Sequence, residues 1–334
     1  MRQDESPLRA YEKALTDNNA TAAQALMAHL LDDGVDPVTI LTDVVAAAQR
    51  SVGARWQRGE WTVAEEHAAT AIAVSATQAV TRYVRRIPPT RGQVLVACAE
   101  REWHALPAMI IDCALRSDGW DSILLGPATS AGRLNQFLHD HGPVAVAVSC
   151  SVLGSLPATR RFIEASTAMG VPIVVGGPAF GYDDIRATAL GATAWAPDAH
   201  GAVTAISRLP AVVAPAAPLP AAAVAEQADL AHDHRAVAAA LRSSWSLTSA
   251  PRPAPDIGSL ADDVIGQLLH AVSAALLTGD RRPVPETMAW IADLMSTRGI
   301  DPAVVDELQI RAIAALGDYP LARGIVQAPR TDGH

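Results

Sequence analysis

His104 lies in the short segment 102–107, and the carboxylate of Glu102 stands two residues before it. A histidine in such a segment can offer one ring nitrogen to a metal ion, while a nearby carboxylate accepts the N–H of the other nitrogen and fixes the ring. An ordinary exposed loop histidine is the alternative, and these two residues alone favour it. The segment is a candidate metal-ligand site that needs support from other parts of the chain.

A second group combines an aromatic ring with an acid and an imidazole. Nine residues separate Trp56 from the pair Glu66-His67. If two adjacent antiparallel helices carry them, all three side chains reach one end of a helical bundle. The alternatives are a core tryptophan, because buried tryptophan is routine, and a solvated helix histidine.

Small residues form a third group. Ser151-Val152-Leu153 and Gly176-Gly177 each follow a short apolar run. Glycine permits close approach of the backbone to a ligand or to another strand. Taken alone, each segment indicates only a tight loop between a strand and a helix.

The elements that position the Trp56 group are helices. Residues 6–86 show apolar positions at helical spacing, and breakers at 17–19, 33–37 and 58–60 divide them into four helices. Thr62 and Glu65 have the spacing of a capping box at the start of the fourth helix. Short connections favour an antiparallel bundle, and we place this domain at 1–88.

The pattern changes after Pro88-Pro89. Continuously apolar, β-branched runs alternate with helical stretches, which predicts a doubly wound parallel sheet, Rossmann-like and flavodoxin-like, over 89–208. Such sheets bind ligands at the carboxyl ends of their strands. The five predicted strands are 93–99, 121–126, 143–150, 172–177 and 192–197.

A Pro/Ala-rich segment at 209–225 predicts a linker, and residues 226–334 predict a third, all-helical domain. The fold class is therefore α/β and multidomain. The predicted helices of the third domain are 226–247, 257–279, 285–299 and 301–317.

The three segments of the sheet domain together resemble the cobalamin-binding domain, whose pattern is Asp-x-His-x-x-Gly, then Ser-x-Leu, then Gly-Gly. Two departures are visible, since Glu102 replaces the aspartate and Pro107 replaces the first glycine; proline fixes φ and lacks an N–H. The matching segments, in order, are Glu102-Trp103-His104-Ala105-Leu106-Pro107, Ser151-Val152-Leu153 and Gly176-Gly177.

This resemblance implies that His104 is the lower ligand of the cobalt. It also implies that Ser151 and Leu153 line the slot for the nucleotide tail and that Gly176-Gly177 lets the tail lie along the sheet.

The bundle resembles that of CarH-type adenosylcobalamin photoreceptors, which carry a Trp-x9-Glu-His motif. The resemblance implies that Trp56, Glu66 and His67 contact the adenosyl group above the corrin. Gln57 departs from the pattern, because those receptors have a histidine there that becomes the upper ligand after photolysis. Those receptors also begin with a DNA-binding domain. Here the predicted bundle already occupies residues 1–88, so we expect no light-dependent release of DNA.

The layout with a helical third domain is similar to photocobilins, which also bind a linear tetrapyrrole. That similarity implies a bilin such as biliverdin, bound without a thioether because all three cysteines precede residue 152. We select His270 for the bilin contact, beside an apolar stripe; a dimerisation bundle is the alternative. The candidate contacts of this domain are His232, His234, Trp245, His270 and Trp290, and the stripe consists of Ile265, Leu268, Leu269, Val272 and Leu276.

Composition limits the partners. The net charge is −9 and no Lys/Arg-rich run is present, which argues against direct DNA binding. Residues 1–20 are charged and no uncharged stretch spans a bilayer, so we expect a cytoplasmic protein without membrane contact. Cys98, Cys113 and Cys150 lack metal or redox spacing, and we expect reduced, mostly buried thiols.

Three functions remain open. The first is a light sensor with adenosylcobalamin, acting through a second copy of the chain or a downstream signalling protein. The second is the corrinoid shuttle subunit of a methyltransferase system, and the third is a scaffold without cofactor. We recognise no nucleophile–base pair or Walker loop, so we expect no enzyme.

Overall fold

The computed structural model describes residues 6–100, 102–249 and 255–328. Within these ranges the chain forms a helical bundle, a parallel sheet covered by helices on both faces, and a second helical domain. The predicted α/β multidomain fold class is confirmed.

The N-terminal bundle consists of four helices, as the breakers predicted. Ser6, Asn19 and Asp36 each cap a helix by accepting a backbone N–H, and Thr62 and Glu65 form the predicted capping box. The helices are α1 (Pro7–Thr16), α2 (Ala20–Asp32), α3 (37–57) and α4 (Val63–Val84).

Helix α3 is not regular along its length. It begins with the turn Pro37–Thr39, continues as the π-helix Ile40–Ala46 and ends as the α-helix Ala47–Gln57. π-Helical segments are rare and occur frequently at functional sites. The segment lies ten residues before Trp56, on the same helix.

The sheet is entirely parallel, with the strand order β2-β1-β3-β4-β5. This is the flavodoxin-like order, which changes direction between β1 and β3 and opens a crevice at their carboxyl ends. The three central strands, β1, β3 and β4, are almost completely buried because helices cover both faces. They are β1 (Gln93–Cys98), β2 (Asp121–Leu124), β3 (Ala145–Ser149), β4 (Ile173–Gly176) and β5 (Ala194–Ala196).

One helix of the sheet domain also belongs to the core of the bundle. Leu106, Ile110 and Cys113 on α5 pack among the buried residues of α1 to α4. Because α5 follows the His104 loop directly, the bundle is fixed beside that loop. The helices of this domain are α5 (Ala105–Ser117), α6 (Ala131–His141), α7 (Leu156–Ala168), α8 (Ile185–Ala189) and α9 (Ala199–Ile206).

The predicted linker differs from the structure at its end. Residues 221–225 belong to a helix that begins at Ala221, because this alanine-rich run contains no proline and has strong helix propensity. The preceding segment is held on the sheet domain: Arg160 Nη2 donates to the carbonyl of Ala217 at 2.7 Å, and Thr167 Oγ1 accepts the N–H of Ala216 at 3.0 Å.

The C-terminal domain has more helices than predicted. The expected single helix 226–247 is wrong, because the chain turns at Asp233 and again at Trp245; a further helix follows Tyr319. The helices are α10 (Ala221–His232), α11 (His234–Ser244), α12 (Ser246–Ser249), α13 (Pro255–Thr278), α14 (Pro283–Thr297), α15 (Ala303–Ala315) and α16 (Pro320–Gln327).

Helix α13 joins the C-terminal domain to the sheet domain. Ala274 and Leu277 pack within the core on one face of the sheet, and Leu153 contacts both cores. Residues Gly258–Thr278 are long and apolar enough to cross a membrane, but 67% of their most apolar window is buried in the protein. Burial of this kind is typical of a core helix.

Candidate functional site

The His104 loop leaves the carboxyl end of β1 and is fixed by one buried acid. Glu102 is completely buried, whereas the His104 side chain is 61% exposed. Glu102 Oε1 accepts the N–H of His104 at 2.9 Å and lies 2.5 Å from His104 Nδ1. Its Oε2 accepts the backbone N–H groups of Ser151 at 2.6 Å and Val152 at 3.1 Å. The acid therefore connects the loops after β1 and β3 and leaves Nε2 of the imidazole for a ligand.

The electrostatics of this pair favour the ionised acid. Burial by itself would raise the pKa of Glu102, but the hydrogen bonds from His104 and from Ser151 together outweigh burial and lower it. The hydrogen bond to Glu102 raises the pKa of His104, and the negative charge of Glu66 in the bundle adds to this effect. Glu66 therefore lies near His104, so the bundle faces the loop.

The bundle places the second group towards one of its ends. Helices α3 and α4 pack against each other, with Gln49 Nε2 donating to the carbonyl of Ala69 at 3.3 Å. In this antiparallel register, Trp56 lies towards the end of α3 and Glu66 towards the start of α4. Trp56 is half-buried, and the Glu66 carboxylate contacts Nδ1 of His67, whose side chain is 74% exposed.

The tip of the loop after β3 is covered by the C-terminal domain. Ser151 remains partly exposed, but Leu153 packs against two cores and the His270 ring lies against Gly154, where an added Cβ would be 2.8 Å from the ring. The roles of Ser151 and Leu153 in a nucleotide slot stay predictions.

Close backbone contacts within the protein explain why glycine occupies positions 176 and 177. A Cβ on Gly176 would lie 2.4 Å from the carbonyl oxygen of Ala196 on β5. One on Gly177, whose φ is +101°, would lie 2.4 Å from the carbonyl oxygen of Cys150. Both glycines are therefore required by close strand contacts, whether or not a ligand lies there.

A cleft of about 520 Å³ opens at the carboxyl ends of β4 and β5. The indole N–H of Trp195, at this position, has no hydrogen-bond partner among the described residues. Residues from three domains line the cleft: Arg50, Gly177, Pro178, Gly181, Tyr182, Trp195, Pro197 and Glu286.

Arg50, Trp195 and Glu286 were missed by the sequence analysis. Trp195 lies in the predicted fifth strand, close to its carboxyl end, and that position was an available signal. Arg50 and Glu286 lie on helices of two other domains, and no local pattern connects them to the cleft.

The predicted bilin contacts are mostly accounted for by packing. Trp245 is completely buried and donates its indole N–H to the carbonyl of Val304 at 2.8 Å. The His270 and His234 rings are stacked with centroids 5.6 Å apart. The whole apolar stripe 265–276 lies in the core of its own domain, so no chromophore is needed to bury it.

All three cysteines are buried thiols, as expected. Burial raises the pKa of each to about 12, so they remain protonated near neutral pH. Among the described residues, no group of three His, Cys, Asp or Glu side chains forms a metal cage. A metal held by His104 would need its other ligands from elsewhere, as in a preformed macrocycle.

The comparisons with known proteins agree with this geometry. The B12 binding domain model matches residues 92–206, and a second B12 binding domain model matches residues 7–80. No curated protein matches the chain in sequence.

Solved structures are similar to part of this chain. The monomethylamine corrinoid protein of Methanosarcina barkeri superposes with a TM-score of 0.50 at 17% identity, over 60% of this chain and 96% of that chain. A cobalamin-binding protein from Desulfitobacterium hafniense DCB-2 matches at 18% identity and TM-score 0.34, over 60% of this chain and 97% of that one. The methanol:cobalamin methyltransferase complex of Methanosarcina barkeri matches at 17% identity and TM-score 0.33, over 61% and 81%. With its pair of B12-binding domains, this chain is a cobalamin-binding protein.

Proposed function

We propose that the protein is a corrinoid carrier without catalytic activity of its own, which presents its cofactor to a separate methyltransferase. The observation that supports this best is the extent of one structural match, which covers 60% of this chain and 96% of the monomethylamine corrinoid protein. That corrinoid protein thus has a counterpart here for almost its whole length.

The residues present fit a corrinoid. A fully buried carboxylate fixes a half-exposed imidazole, although burying an acid is unfavourable unless its hydrogen bonds are satisfied. Trp195 lines a cleft at the same edge of the sheet, and its buried indole N–H has no partner among the described residues, which suits a ligand rich in carbonyl oxygens. Corrinoids carry such amide groups around their rim.

Each part of the chain then has a defined task. Glu102 would fix the ring of His104 and leave Nε2 free to hold the cobalt of a bound cobalamin, and the bundle would exclude water from the site. Cobalamin supplies the cobalt that accepts and releases a methyl group. Gln57 supports this proposal over a CarH-type switch, because its side chain contacts Asp293 and no histidine occupies that position.

Methylation of the bound cofactor tests the proposal. Purified protein loaded with hydroxocobalamin is reduced with titanium(III) citrate, and iodomethane is then added in the dark. A carrier should take up the methyl group while the corrinoid stays bound, as its spectrum and gel filtration will report. Methylation only after the protein is unfolded would contradict the proposal, because a carrier must admit a methyl donor.

A light sensor that holds adenosylcobalamin is the second candidate. The spacing of Trp56 to Glu66-His67 favours it, as does the position of Glu66 near His104. A methyl group is too small to need an aromatic cover. On this proposal, cleavage of the bond between cobalt and the adenosyl group would change the packing of the bundle on the sheet domain.

The substitution Trp56→Ala separates the two candidates. A sensor should lose affinity for adenosylcobalamin far more than for methylcobalamin, because only the former has a group for the indole to cover. A carrier should lose both affinities equally. Titration of one variant with both cofactors provides its own control, since a folding defect would affect both.

Biliverdin belongs to the sensor proposal alone. If it binds, biliverdin added to the protein should co-elute on gel filtration with a red-shifted band, and His270→Ala should remove that band. Elution of biliverdin apart from the protein would leave the C-terminal domain without a chromophore.

A further inference from the structure

Helix α14 extends between the two domains that precede it in the chain. Its 15 residues span about 22 Å. At its start, Glu286 contacts Arg186 of the sheet domain at 2.7 Å, and Arg186 also binds Asp280 at 2.8 Å. Arg186 is completely buried, so this end of the helix is firmly held.

The other end of α14 contacts the bundle at the C-terminus of α3. Arg298 Nη1 donates to the carbonyl of Gln57 at 2.7 Å and Nη2 to the carbonyl of Trp56 at 3.3 Å. The guanidinium lies 5.7 Å from the centroid of the Trp56 ring. Thr297 Oγ1 also donates to the Gln57 carbonyl, at 3.1 Å. A cation is favourable at a helix C-terminus, where carbonyl groups lack intrahelical partners.

All three domains contribute residues to the cleft at the sheet edge. Arg50 comes from the bundle, Trp195 from the sheet domain and Glu286 from α14. Arg50 has no ion-pair partner among the described residues, and the Trp195 indole N–H has no acceptor there. An unpaired N–H in such a place is costly unless a ligand or water accepts it.

We propose that the C-terminal domain is the third wall of the corrin site. Helix α14 closes the side between bundle and sheet domain, and the cleft it completes takes amide groups of the corrin rim. Trp195 and Arg50 donate to amide carbonyl oxygens, and Glu286 accepts an amide N–H. This inference deepens the proposed function, since it names how the same site is closed, but it does not depend on methyl transfer.

The position of Arg298 gives the C-terminal domain a second function, the control of access to the site. Because Arg298 binds the last carbonyls of α3 and lies against the Trp56 ring, it would hold Trp56 over the face of a bound corrinoid that the bundle covers. The corrinoid cannot leave, and a partner cannot reach that face, until these contacts break. The C-terminal domain therefore controls the rate of access to the upper face.

Trp195→Phe tests the cleft, because it removes the indole N–H and keeps an aromatic ring. The affinity for hydroxocobalamin should fall about fivefold, the loss expected for one hydrogen bond. Trp120→Phe is the matched control, since its indole N–H also has no acceptor among the described residues but lies just before β2, at the opposite edge of the sheet. Equal affinities of both variants and the wild type would overturn the role of Trp195.

Arg298→Ala tests the closure by α14. Amide hydrogen exchange in 47–57 should become faster even without cofactor, and bound hydroxocobalamin should dissociate about tenfold faster. Arg311→Ala is the control, because among the described residues Arg311 pairs with Glu307 alone, on its own helix, at 3.2 Å. Circular dichroism verifies that both variants remain folded.

The outcomes separate this inference from the proposed function. Unchanged exchange and unchanged dissociation in Arg298→Ala would overturn the closure, while methylation of the wild-type protein would still support a carrier. Faster exchange and dissociation together with no methylation would support the third wall and refute the carrier.

Discussion

The Glu102 carboxylate accepts hydrogen bonds from three residues of two loops while it is fully buried. The loss of one of these hydrogen bonds costs more free energy than its formation contributes. If one partner is removed, the buried groups that it had bonded are left unsatisfied. Glu102 is therefore the residue whose replacement should alter the His104 loop most.

Glu102→Gln should weaken both folding and cofactor binding. The amide N–H₂ of glutamine would face backbone N–H donors, so the free energy of unfolding should fall by about 1–3 kcal/mol. Loss of the acid that orients a metal-binding histidine should lower the cobalamin affinity roughly 10–100-fold. Urea denaturation and spectral titration measure the two effects.

Glu100→Gln is the control for this substitution, because Glu100 is partly exposed and pairs with Arg161. It should change stability by less than about 1 kcal/mol. Equal effects of the two substitutions would argue against a special role for Glu102.

His104→Ala tests the metal ligand itself. The bound corrinoid should show the spectrum of the form without a lower histidine ligand, and its affinity should fall. An unchanged spectrum would exclude His104 as the ligand, whatever the affinity.

At the scale of elements, Gly177 is the position where backbone geometry restricts the sequence most. Gly177→Ala should destabilise the protein by about 1–3 kcal/mol, because its φ is +101° and the new Cβ would meet the carbonyl of Cys150. Gly266→Ala on α13 is the matched control. Apart from the backbone of its own helix, no heavy atom of the part of the chain that the structure describes lies within 4 Å of its added Cβ, so it should stabilise the helix by about 0.5–1 kcal/mol. Thermal unfolding shows whether each substitution lowers or raises the stability.

The strands and bundle helices could be predicted because each produces a local pattern. The β-branched runs such as residues 93–98 and the capping box at Thr62 are read from a few consecutive residues. The turn at Asp233 could not be predicted, because its partner is distant: Tyr319 donates its hydroxyl proton to the Asp233 carboxylate at 2.7 Å. Tertiary contacts of this kind override helix propensity.

The same limit applies to the site. Glu102 and His104 lie two residues apart, so their contact was predictable, and the small loop residues follow strand ends. Arg298 reaches Trp56 across more than 240 residues of sequence, and Glu286 reaches Arg186 across 100. No spacing rule addresses contacts between separate domains.

For the whole molecule, acidity should loosen the C-terminal domain from the sheet domain. Burial would raise the pKa of Asp280, but the hydrogen bonds from Arg282 and Arg186 outweigh burial and lower it. A depressed folded pKa means that Asp280 contributes stability above the unfolded value near 4, and that this contribution is lost as the pH falls through the folded pKa. The hydrogen bond from Arg282 lowers the pKa of Asp183, in the same network, to about 2.

We therefore expect the protection of amides in α13 and α14, measured relative to their intrinsic exchange rate at each pH, to fall between about pH 4 and pH 2 before that of the sheet core. Asp280→Asn should reduce this pH dependence while it weakens the interface at neutral pH. A wild-type interface that stays closed down to pH 2 would refute the role of these carboxylates.

The contact of Arg298 with the end of α3 is also an intramolecular binding equilibrium. Both partners belong to one chain, and the C-terminal domain is already held on the sheet domain by Arg186 and by the packing of Ala274 and Leu277. Each partner therefore meets the other at an effective concentration in the millimolar range. A few hydrogen bonds suffice to keep such a contact closed most of the time, and they break readily enough for brief openings. A partner protein that binds the end of α3 when it is uncovered competes with this contact, so the ratio of its concentration to its dissociation constant must exceed the ratio of closed to open molecules.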